Sequence, residues 1–252
     1  SGMIGSEAVK RSPADGYTIM YTAADTHSIN PHVYSKITYD AQKDFTPIAV
    51  AGLNPFALVV SNKVPATNVA EFVKFAKDNA GKTTYSSWGV GSSAHVASEM
   101  FAAKVGIKMR HVPYQGAAPA ITGVMNGEVD SLLVPRTVAE PNHKAGKVKM
   151  IATATAERSA NAPDVPTLTE LGIPLVIAPW QGFLGPANMP AEVVAILNRE
   201  INAAIADPEL REALGKSGLM VSTGTPAQFK AILDKEYELW GAVIREAKIK
   251  AD

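Results

Sequence analysis

A run of small and hydroxyl residues between Ser86 and His95, S-S-W-G-V-G-S-S-A-H, has the composition of an anion-binding loop. The residues before it favour a strand, and an amphipathic helix follows. Gly89 and Gly91 allow the backbone to turn sharply and to approach a ligand closely. Ser92 or Ser93 can cap the helix, whose first N–H groups have no intrahelical acceptor and attract negative charge. The pattern therefore indicates a loop that holds an anion.

Other chemistry fits these residues less well. A strand, a glycine turn and a serine-capped helix also form an ordinary β–α connection, so the loop alone leaves both interpretations open. The adjacency of Ser92, Ser93 and His95 does not create nucleophile–base geometry, and no G-x-S-x-G elbow is present. The five histidines (His27, His32, His95, His111 and His143) are scattered without the spacing of metal ligands. The sequence also lacks a phosphate loop and a dinucleotide fingerprint, so we expect no metal and no cofactor.

The composition is that of a globular protein with one large domain or two smaller ones. Of its 252 residues, 46% are hydrophobic and 19% are charged. The 24 Lys and Arg balance the 24 Asp and Glu, so the basic excess of a nucleic-acid-binding protein is missing. No apolar run reaches the length of a membrane span. The chain has no cysteine, which excludes disulfides and thiolate chemistry but assigns no compartment.

The elements that position this loop follow an alternating pattern of short β-type runs and helical runs, which favours an α/β architecture. Strands are expected at residues 17–22, 56–61, 83–87, 109–114, 129–134 and 148–155, with a last extended segment at 175–184. No long linker separates two consecutive domains. Two lobes would therefore require the chain to cross between them more than once, and the segments near Phe56 and Trp180 are the best candidates for these crossings.

The helices carry clear boundary signals. Thr225-Pro226-Ala227-Gln228 is typical of a capping box, and an apolar face follows at helical spacing, formed by Phe229, Ile232, Leu233, Trp240, Val243 and Ile244. A second helix begins at Pro190 and ends at Asp207-Pro208, with an apolar face of Val193, Leu197, Ile201 and Ile205. Further helices are expected from Thr67 to about residue 80 and over residues 116–126, the latter with Ile121 and Met125 facing inward.

An ordered set of motifs across nearly the whole chain resembles the Bug-type periplasmic solute-binding proteins of tripartite tricarboxylate transporters. The motifs in the first half of the chain are D-G-Y-T (Asp15 to Thr18), T-H-S-I-N-P-H-V-Y (Thr26 to Tyr34), Y-D-A-Q-K-D-F-T-P-I (Tyr39 to Ile48), G-V-G-S-S-A-H (Gly89 to His95) and H-V-P-Y-Q-G-A-A-P-A (His111 to Ala120). They continue with G-E-V-D (Gly127 to Asp130), A-G-K-V-K (Ala145 to Lys149), R-S-A-N-A-P-D-V-P-T (Arg158 to Thr167) and G-T-P-A-Q-F (Gly224 to Phe229). Each motif is weak alone, and their order makes the resemblance specific.

The resemblance implies a type II periplasmic binding protein fold, with two lobes and a hinge that close on a small carboxylate. Residues 1–55 and 181–252 would form the first lobe, and residues 56–180 the second. Members of the family normally begin with a strand, a Pro-Gly-Gly-type loop and a helix before the position of Ser1. The N-terminal strand and helix of the first lobe are therefore expected to be missing from this chain, together with the backbone donors of that loop.

The resemblance and the strand ends together give the expected ligand-binding residues. From the first lobe they are Thr22, Asp25, Thr26 and His27, and from the second they are Ser87, Trp88, Gly89, Gly91, Ser92, Ser93, His95, Tyr114, Gln115, Gly116 and Arg136. Turn chemistry alone also explains Asp25. His95 is expected either to donate to a carboxylate or to bond its own loop, and Trp88 either to face a ligand or to pack in the core. Arg136 replaces a polar residue common in relatives, and is expected either to clamp a carboxylate or to be a surface arginine on a loop.

The expected function is therefore capture of a small organic acid in an interlobe cleft, without catalysis, and delivery to a tripartite tricarboxylate-type membrane transporter. The expected location is the periplasm, with a signal peptide that this chain does not contain, and the expected state is a monomer. Two alternatives stay open: a ligand-sensing binding protein that docks on a membrane sensor kinase, and a small α/β hydrolase using Ser92 and His95.

Overall fold

The computed structural model describes residues 2–160 and 162–251, which form two compact units. The first contains the residues up to Leu53 and those from Pro179 onward, and the second runs from Asn54 to Ala178. Each boundary lies two residues before the position expected from the sequence. The chain thus enters the second unit once and returns once.

Helices and strands alternate along the chain. The helices are α1 (Met3–Lys10), α2 (Asn30–Val33), α3 (Val69–Asp78), α4 (Ser93–Val105), α5 (Ala117–Asn126), α6 (Arg136–Lys144), α7 (Ala191–Ala206), α8 (Pro208–Lys216) and α9 (Pro226–Ala247). The strands are β1 (Met20–Ala23), β2 (Phe45–Leu53), β3 (Phe56–Val60), β4 (Thr84–Ser87), β5 (Arg110–Pro113), β6 (Ser131–Pro135), β7 (Lys149–Thr153), β8 (Trp180–Pro186) and β9 (Met220–Val221). A π-helical turn (Asp25–Ile29) precedes α2.

The first unit is built on an antiparallel sheet in the order β1-β8-β2-β9. Its core contains Trp180 and Phe229, whose rings meet edge to face at 5.2 Å and which are both fully buried. Phe229 lies in the first turn of α9, which begins with the expected capping box at Thr225 and Gln228. The cap fixes where this long helix begins and so places its apolar face on the sheet.

The second unit is built on a mixed sheet in the order β5-β4-β6-β3-β7. The strand β4 pairs in parallel with β5 and with β6, while β3 pairs antiparallel with β6 and β7. The carboxyl ends of β4, β5 and β6 therefore lie at one edge of this sheet. In α/β sheets, ligands bind at this kind of edge.

The structure corrects the element prediction in several places. The first strand starts at Met20 rather than at residue 17, and Tyr17 is 94% exposed. The strand β2 was not predicted, and it carries Pro47 at one of its register shifts, where a missing N–H is tolerated. The helices α6 and α8 were also not predicted. The expected end of α7 at Asp207-Pro208 is confirmed, and the same two residues cap and begin α8.

In residues 2–160 and 162–251, no helix combines the length and the apolar character needed to cross a bilayer.

Candidate functional site

Three loops with predicted site residues leave the same edge of the second unit's sheet. Ser87 ends β4, Pro113 ends β5 beside it in the parallel register, and Pro135 ends β6 on the other side of β4. The backbone N–H of Tyr114 donates to the carbonyl oxygen of Ser87 at 2.8 Å, which ties the first two loops together. The sheet therefore gathers the G-V-G-S-S loop, the Tyr114–Gly116 turn and the start of α6.

The loop between β4 and α4 has the backbone that its glycines predict. Gly89 has φ of 129° and Gly91 has φ of 74°, a region that favours glycine. Ser92 is the residue that caps α4, and its hydroxyl oxygen accepts the backbone N–H of His95 at 3.4 Å. Ser93 is the first helical residue and is buried. Of the two serines that could cap the helix, Ser92 therefore does so.

The amides of the two glycines are engaged inside the loop. The N–H of Gly89 donates to Ser87 Oγ at 3.1 Å, and the N–H of Gly91 donates to His95 Nδ1 at 3.0 Å. The carbonyl oxygen of Gly89 accepts the hydroxyls of Ser87 and Ser92 at 2.9 and 2.8 Å. The N–H groups of the two glycines are therefore not left for an anion, and the feature of this loop that favours negative charge is the N-terminus of α4.

His95 therefore shows the second of its two expected behaviours, since its ring bonds its own loop. The ring also stacks on that of His111, with centroids 4.0 Å apart and planes 8° apart. Burial lowers the pKa of His95 to about 4. Burial and the neighbouring His95 lower the pKa of His111 to about 4 as well, although Glu99 opposes this. Both imidazoles are therefore neutral at physiological pH.

Sequence reasoning missed His111 as a member of this cluster. Its Nε2 lies 2.6 Å from Ser87 Oγ, across the parallel pair β4 and β5. Ser87 is fully buried, and its oxygen already accepts the N–H of Gly89, so this pair supports the loop rather than forming a nucleophile and base. The observation that would have identified His111 is the strand register, which places it opposite Tyr85. This register is known only once the pairing of β4 with β5 is known.

Trp88 and the turn after β5 complete the second unit's edge. The half-buried ring of Trp88 meets that of Phe56 edge to face at 5.9 Å, so this side chain packs partly on the core. Tyr114 Oη donates to Glu128 Oε2 at 3.4 Å, and Gln115 is exposed. Gly116 precedes α5 with φ of 131°. Gln115 is thus the most accessible of the predicted residues in this turn.

Arg136 is neither exposed nor on a loop, which corrects one of its two expected placements. It is the first residue of α6 and is 8% exposed. Its Nε donates to Glu140 Oε1 at 2.7 Å, and its Nη2 donates to Ser159 Oγ. The backbone N–H of Arg136 donates to the carbonyl oxygen of Pro55 at 2.8 Å. The guanidinium therefore has internal partners, and its contact with a ligand stays a prediction.

In the first unit, the predicted residues lie in the last residues of β1 and on the turn that follows it. The hydroxyl oxygens of Thr22 and Thr26 are 2.6 Å apart, and Thr26 Oγ1 lies 2.6 Å from His27 Nδ1. Asp25 begins the π-helical turn and is half-buried. His27 is 3% exposed and meets the ring of Phe45 edge to face at 4.5 Å. This position is that of a core histidine, whereas Thr22 and Asp25 are more accessible to a solute.

The chemistry of these residues favours holding a ligand over transforming it. The hydroxyl of Ser92 donates to Gly89, and the ring of His95 accepts from Gly91, so the two side chains are not paired as a nucleophile and its base. Among the described residues, no group of three or more His, Cys, Asp or Glu could hold a metal ion. What the second unit offers is a fixed loop, a helix N-terminus and an adjacent aromatic ring.

Comparison with known proteins gives consistent matches over nearly the whole chain. The model of TctC, the tripartite tricarboxylate transporter family receptor, matches residues 1–249. A protein from the tcbD–tcbE intergenic region of Pseudomonas sp. strain P51 is 33% identical, over 100% of this chain and 75% of its own length.

Two solved structures show the same fold. The R. palustris protein Rpa4515 with adipate has a TM-score of 0.94 at 29% identity, covering 99% of this chain and 84% of its own. The periplasmic binding protein BugD has a TM-score of 0.91 at 27% identity, with the same coverage of 99% and 84%.

Proposed function

The chain belongs to the tripartite tricarboxylate transporter receptor family of periplasmic solute-binding proteins, and from this premise we propose that it captures a small organic carboxylate and delivers it to a membrane transporter. The observation that carries the proposal is the convergence of the β4, β5 and β6 ends on the capped N-terminus of α4. Such an edge suits an anion because the N-terminus of a helix and its dipole favour negative charge. The adipate bound to the R. palustris relative supports the class of ligand.

We propose that one carboxylate of the ligand is held at the N-terminus of α4. The ring of Trp88 then lies against the carbon chain, and Gln115 contributes a polar contact from the neighbouring turn. A buried neutral polar group left without a partner costs about 1–3 kcal/mol, and a charged carboxylate costs more, so the fit of the donors sets specificity.

The proposal includes no chemical step and assigns the protein to the periplasm as a monomer. The Ser92 hydroxyl and the His95 ring are both committed to the loop, which supports binding without turnover. A solute-binding protein needs only to release its ligand unchanged to the transporter. Incubation of the protein with each ligand, followed by NMR of the recovered solute, should therefore return the solute intact.

The direct test is a thermal-shift and calorimetric screen of carboxylates. The panel contains succinate, malate, adipate, citrate, benzoate and glutamate, with adipamide as an uncharged isostere of adipate. At a concentration 100 times its Kd, a true ligand stabilises the folded protein by about 2.7 kcal/mol, which corresponds to a Tm increase of roughly 5–10 °C for a chain of this size. Saturable binding of at least one acid, with none of the diamide, supports the proposal, and a flat response to every acid contradicts it.

Delivery to a transporter requires a test in cells. Uptake of the radiolabelled acid identified by the screen should be lost in a deletion strain and restored by the wild-type gene in trans. Uptake that persists in the deletion strain would contradict delivery. It would favour the sensor alternative if transcription no longer responded to the acid.

A further inference from the structure

Three aromatic rings form a continuous stack beside the G-V-G segment in the second unit. Tyr85 on β4 stacks on His111 of β5 at 5.0 Å, and His111 stacks on His95 of α4 at 4.0 Å. The two histidine planes are only 8° apart, so the imidazoles lie face to face. Because the rings come from two strands and a helix, the stack fixes α4 against the edge strand of the sheet.

Each histidine in the stack supports one end of the G-V-G segment, His95 directly and His111 through Ser87. His95 Nδ1 accepts the N–H of Gly91 at 3.0 Å, so Nδ1 carries no proton and the neutral ring holds its proton on Nε2. His111 acts through Ser87, whose oxygen lies 2.6 Å from Nε2. The Ser87 oxygen accepts the N–H of Gly89, and its single proton has two acceptors within reach, the Gly89 carbonyl at 2.9 Å and His111 Nε2. When the Ser87 proton goes to Gly89, His111 donates from Nε2, which is the same tautomer that the Gly91 bond assigns to His95.

The surroundings of the stack favour neutral rings. Besides the two imidazoles, the titratable groups here are Tyr85, which belongs to the stack, and Glu99 on α4. The Tyr85 hydroxyl donates to Glu99. A proton on either imidazole would place a cation 4.0 Å from the other ring, inside a half-buried stack. A proton on His95 Nδ1 would in addition remove the only acceptor that this ring offers to Gly91.

We propose that His95 and His111 are positioning residues that hold Gly89–Gly91 in its binding conformation, and that they do so only as neutral Nε2–H tautomers. This inference rests on the proposed function only for its effect on ligand affinity, because the loop geometry exists without a ligand. His95 acts directly on Gly91, and His111 acts on Gly89 through Ser87. Neither ring needs to touch the solute for its loss to weaken binding.

The first test uses matched variants that keep or remove one ring atom. In His95→Asn the side-chain oxygen can replace Nδ1 as the acceptor, whereas His95→Leu offers none. In His111→Gln the amide nitrogen can replace Nε2 as the donor, whereas His111→Leu cannot donate. The control is His143→Leu. His143 is a half-buried histidine of the same unit that lies far along the chain from this loop, and it accepts the Met150 N–H at 3.3 Å.

Two quantities are measured on each variant: hydrogen exchange of residues 88–92 without ligand, and the Kd for adipate. The leucine variants at positions 95 and 111 should exchange the Gly91 and Gly89 amides, respectively, about 3- to 10-fold faster and weaken adipate binding by a similar factor. The Asn and Gln variants should recover most of both losses, and His143→Leu should change neither. Leucine variants that exchange at the wild-type rate would overturn the proposal.

A second measurement needs no variant and so does not depend on their folding. Long-range ¹H–¹⁵N NMR of the wild-type histidine side chains reports which ring nitrogen carries the proton. Both rings should be Nε2–H tautomers at pH 7, and a proton on Nδ1 of His95 would overturn the proposal. If wild-type protein binds no carboxylate while the exchange pattern follows the expectation, the proposed function fails and the positioning role stands.

Discussion

The guanidinium of Arg136 and the carboxylate of Glu140 form a buried ion pair one helical turn apart in α6. Arg136 Nε donates to Glu140 Oε1 at 2.7 Å, and the two side chains are 10% and 3% exposed. Ser159 accepts a hydrogen bond from Arg136 Nη2 and donates one to Glu140 Oε1 at 2.8 Å. Because both charges are out of water, each depends on the other for compensation.

Arg136→Met should therefore lower the free energy of unfolding by about 3–5 kcal/mol, since it leaves the Glu140 charge buried and unpaired. The double variant Arg136→Met/Glu140→Leu should cost much less, because it removes both charges together. Urea unfolding of the purified variants measures both values. The exposed pair Arg158–Glu170, at 45% and 44% exposure, serves as the control, and Arg158→Met should cost less than about 1 kcal/mol.

The double variant also decides whether Arg136 contacts the ligand. It keeps the fold while it removes the guanidinium, so a loss of affinity for adipate would assign a ligand contact to Arg136. Unchanged affinity would restrict the residue to its structural pair.

The cap of α4 should matter for binding, whereas an equivalent cap elsewhere in the second unit should matter only for stability. Ser92 Oγ accepts the His95 N–H and donates to Gly89 at 2.8 Å, and Asn68 Oδ1 accepts the Glu71 N–H at 2.9 Å at the start of α3. Ser92→Ala and Asn68→Ala should each cost about 1 kcal/mol of stability. Calorimetry should show adipate bound about 3- to 10-fold more weakly by Ser92→Ala alone. Equal affinities in the two variants would contradict a role for the α4 cap in binding.

The sequence predicted the elements whose signals are local. The capping box at Thr225, the stop at Asp207-Pro208 and the glycines around Val90 are confirmed, because each depends on residues within one turn of chain. The strand β2 escaped prediction because Pro47 interrupts its pattern, and only the pairing with β8 shows that a register shift accommodates it.

The candidate site was predictable in position but not in its internal bonding. The strand ends indicated the loop after Ser87, and the spacing placed His95 in the first helical turn. The stack of His95 on His111 could not be predicted, because these residues meet only through the parallel pairing of β4 and β5. The pair of Arg136 with Glu140 is local, one helical turn apart, and was missed because α6 was not predicted, whereas Ser159 meets Arg136 only in the folded chain.

Three histidines with lowered pKa values, one buried and two half-buried, should make the protein less stable in acid. Burial lowers the pKa of His27 to about 3, and that of His95 and of His111 to about 4, against about 6.5 in the unfolded chain. Between about pH 4 and 6.5 the unfolded chain therefore binds more protons than the folded one, so this contribution to stability is lost as the pH falls through that window.

His27 offers the cleanest test of this acid effect. His27→Phe keeps an aromatic ring beside Phe45 and removes the titrating group. The Tm of the variant should fall less than that of the wild type between pH 7 and 4.5, measured by calorimetry. Parallel Tm curves for the two proteins would show that His27 does not carry this dependence.

Glu236 on α9 should produce the opposite dependence. Burial raises its pKa to about 7, and nearby Asp25 adds to this, while hydrogen bonds from the Trp240 indole and the Trp180 backbone oppose it. The folded chain thus binds a proton more tightly than the unfolded chain. This contribution to stability is fully present below about pH 4.5 and is lost as the pH rises through about 7, by at most roughly 3.5 kcal/mol.

Glu236→Gln removes the ionisation while the side-chain oxygen can still accept the Trp240 indole N–H, which Glu236 Oε2 accepts at 3.1 Å. Relative to wild type, the variant should become more stable as the pH is raised from 5 to 8, because it has no buried carboxylate to ionise. Glu238→Gln, a change at an exposed residue of the same helix, should show no such trend.

In Asp25→Asn, the titration midpoint of Glu236 should move to lower pH, since the neighbouring negative charge is gone. The contrary outcome is a difference in Tm between Glu236→Gln and wild type that stays constant from pH 5 to 8. That result would mean that Glu236 ionises in the folded protein as it does in the unfolded chain.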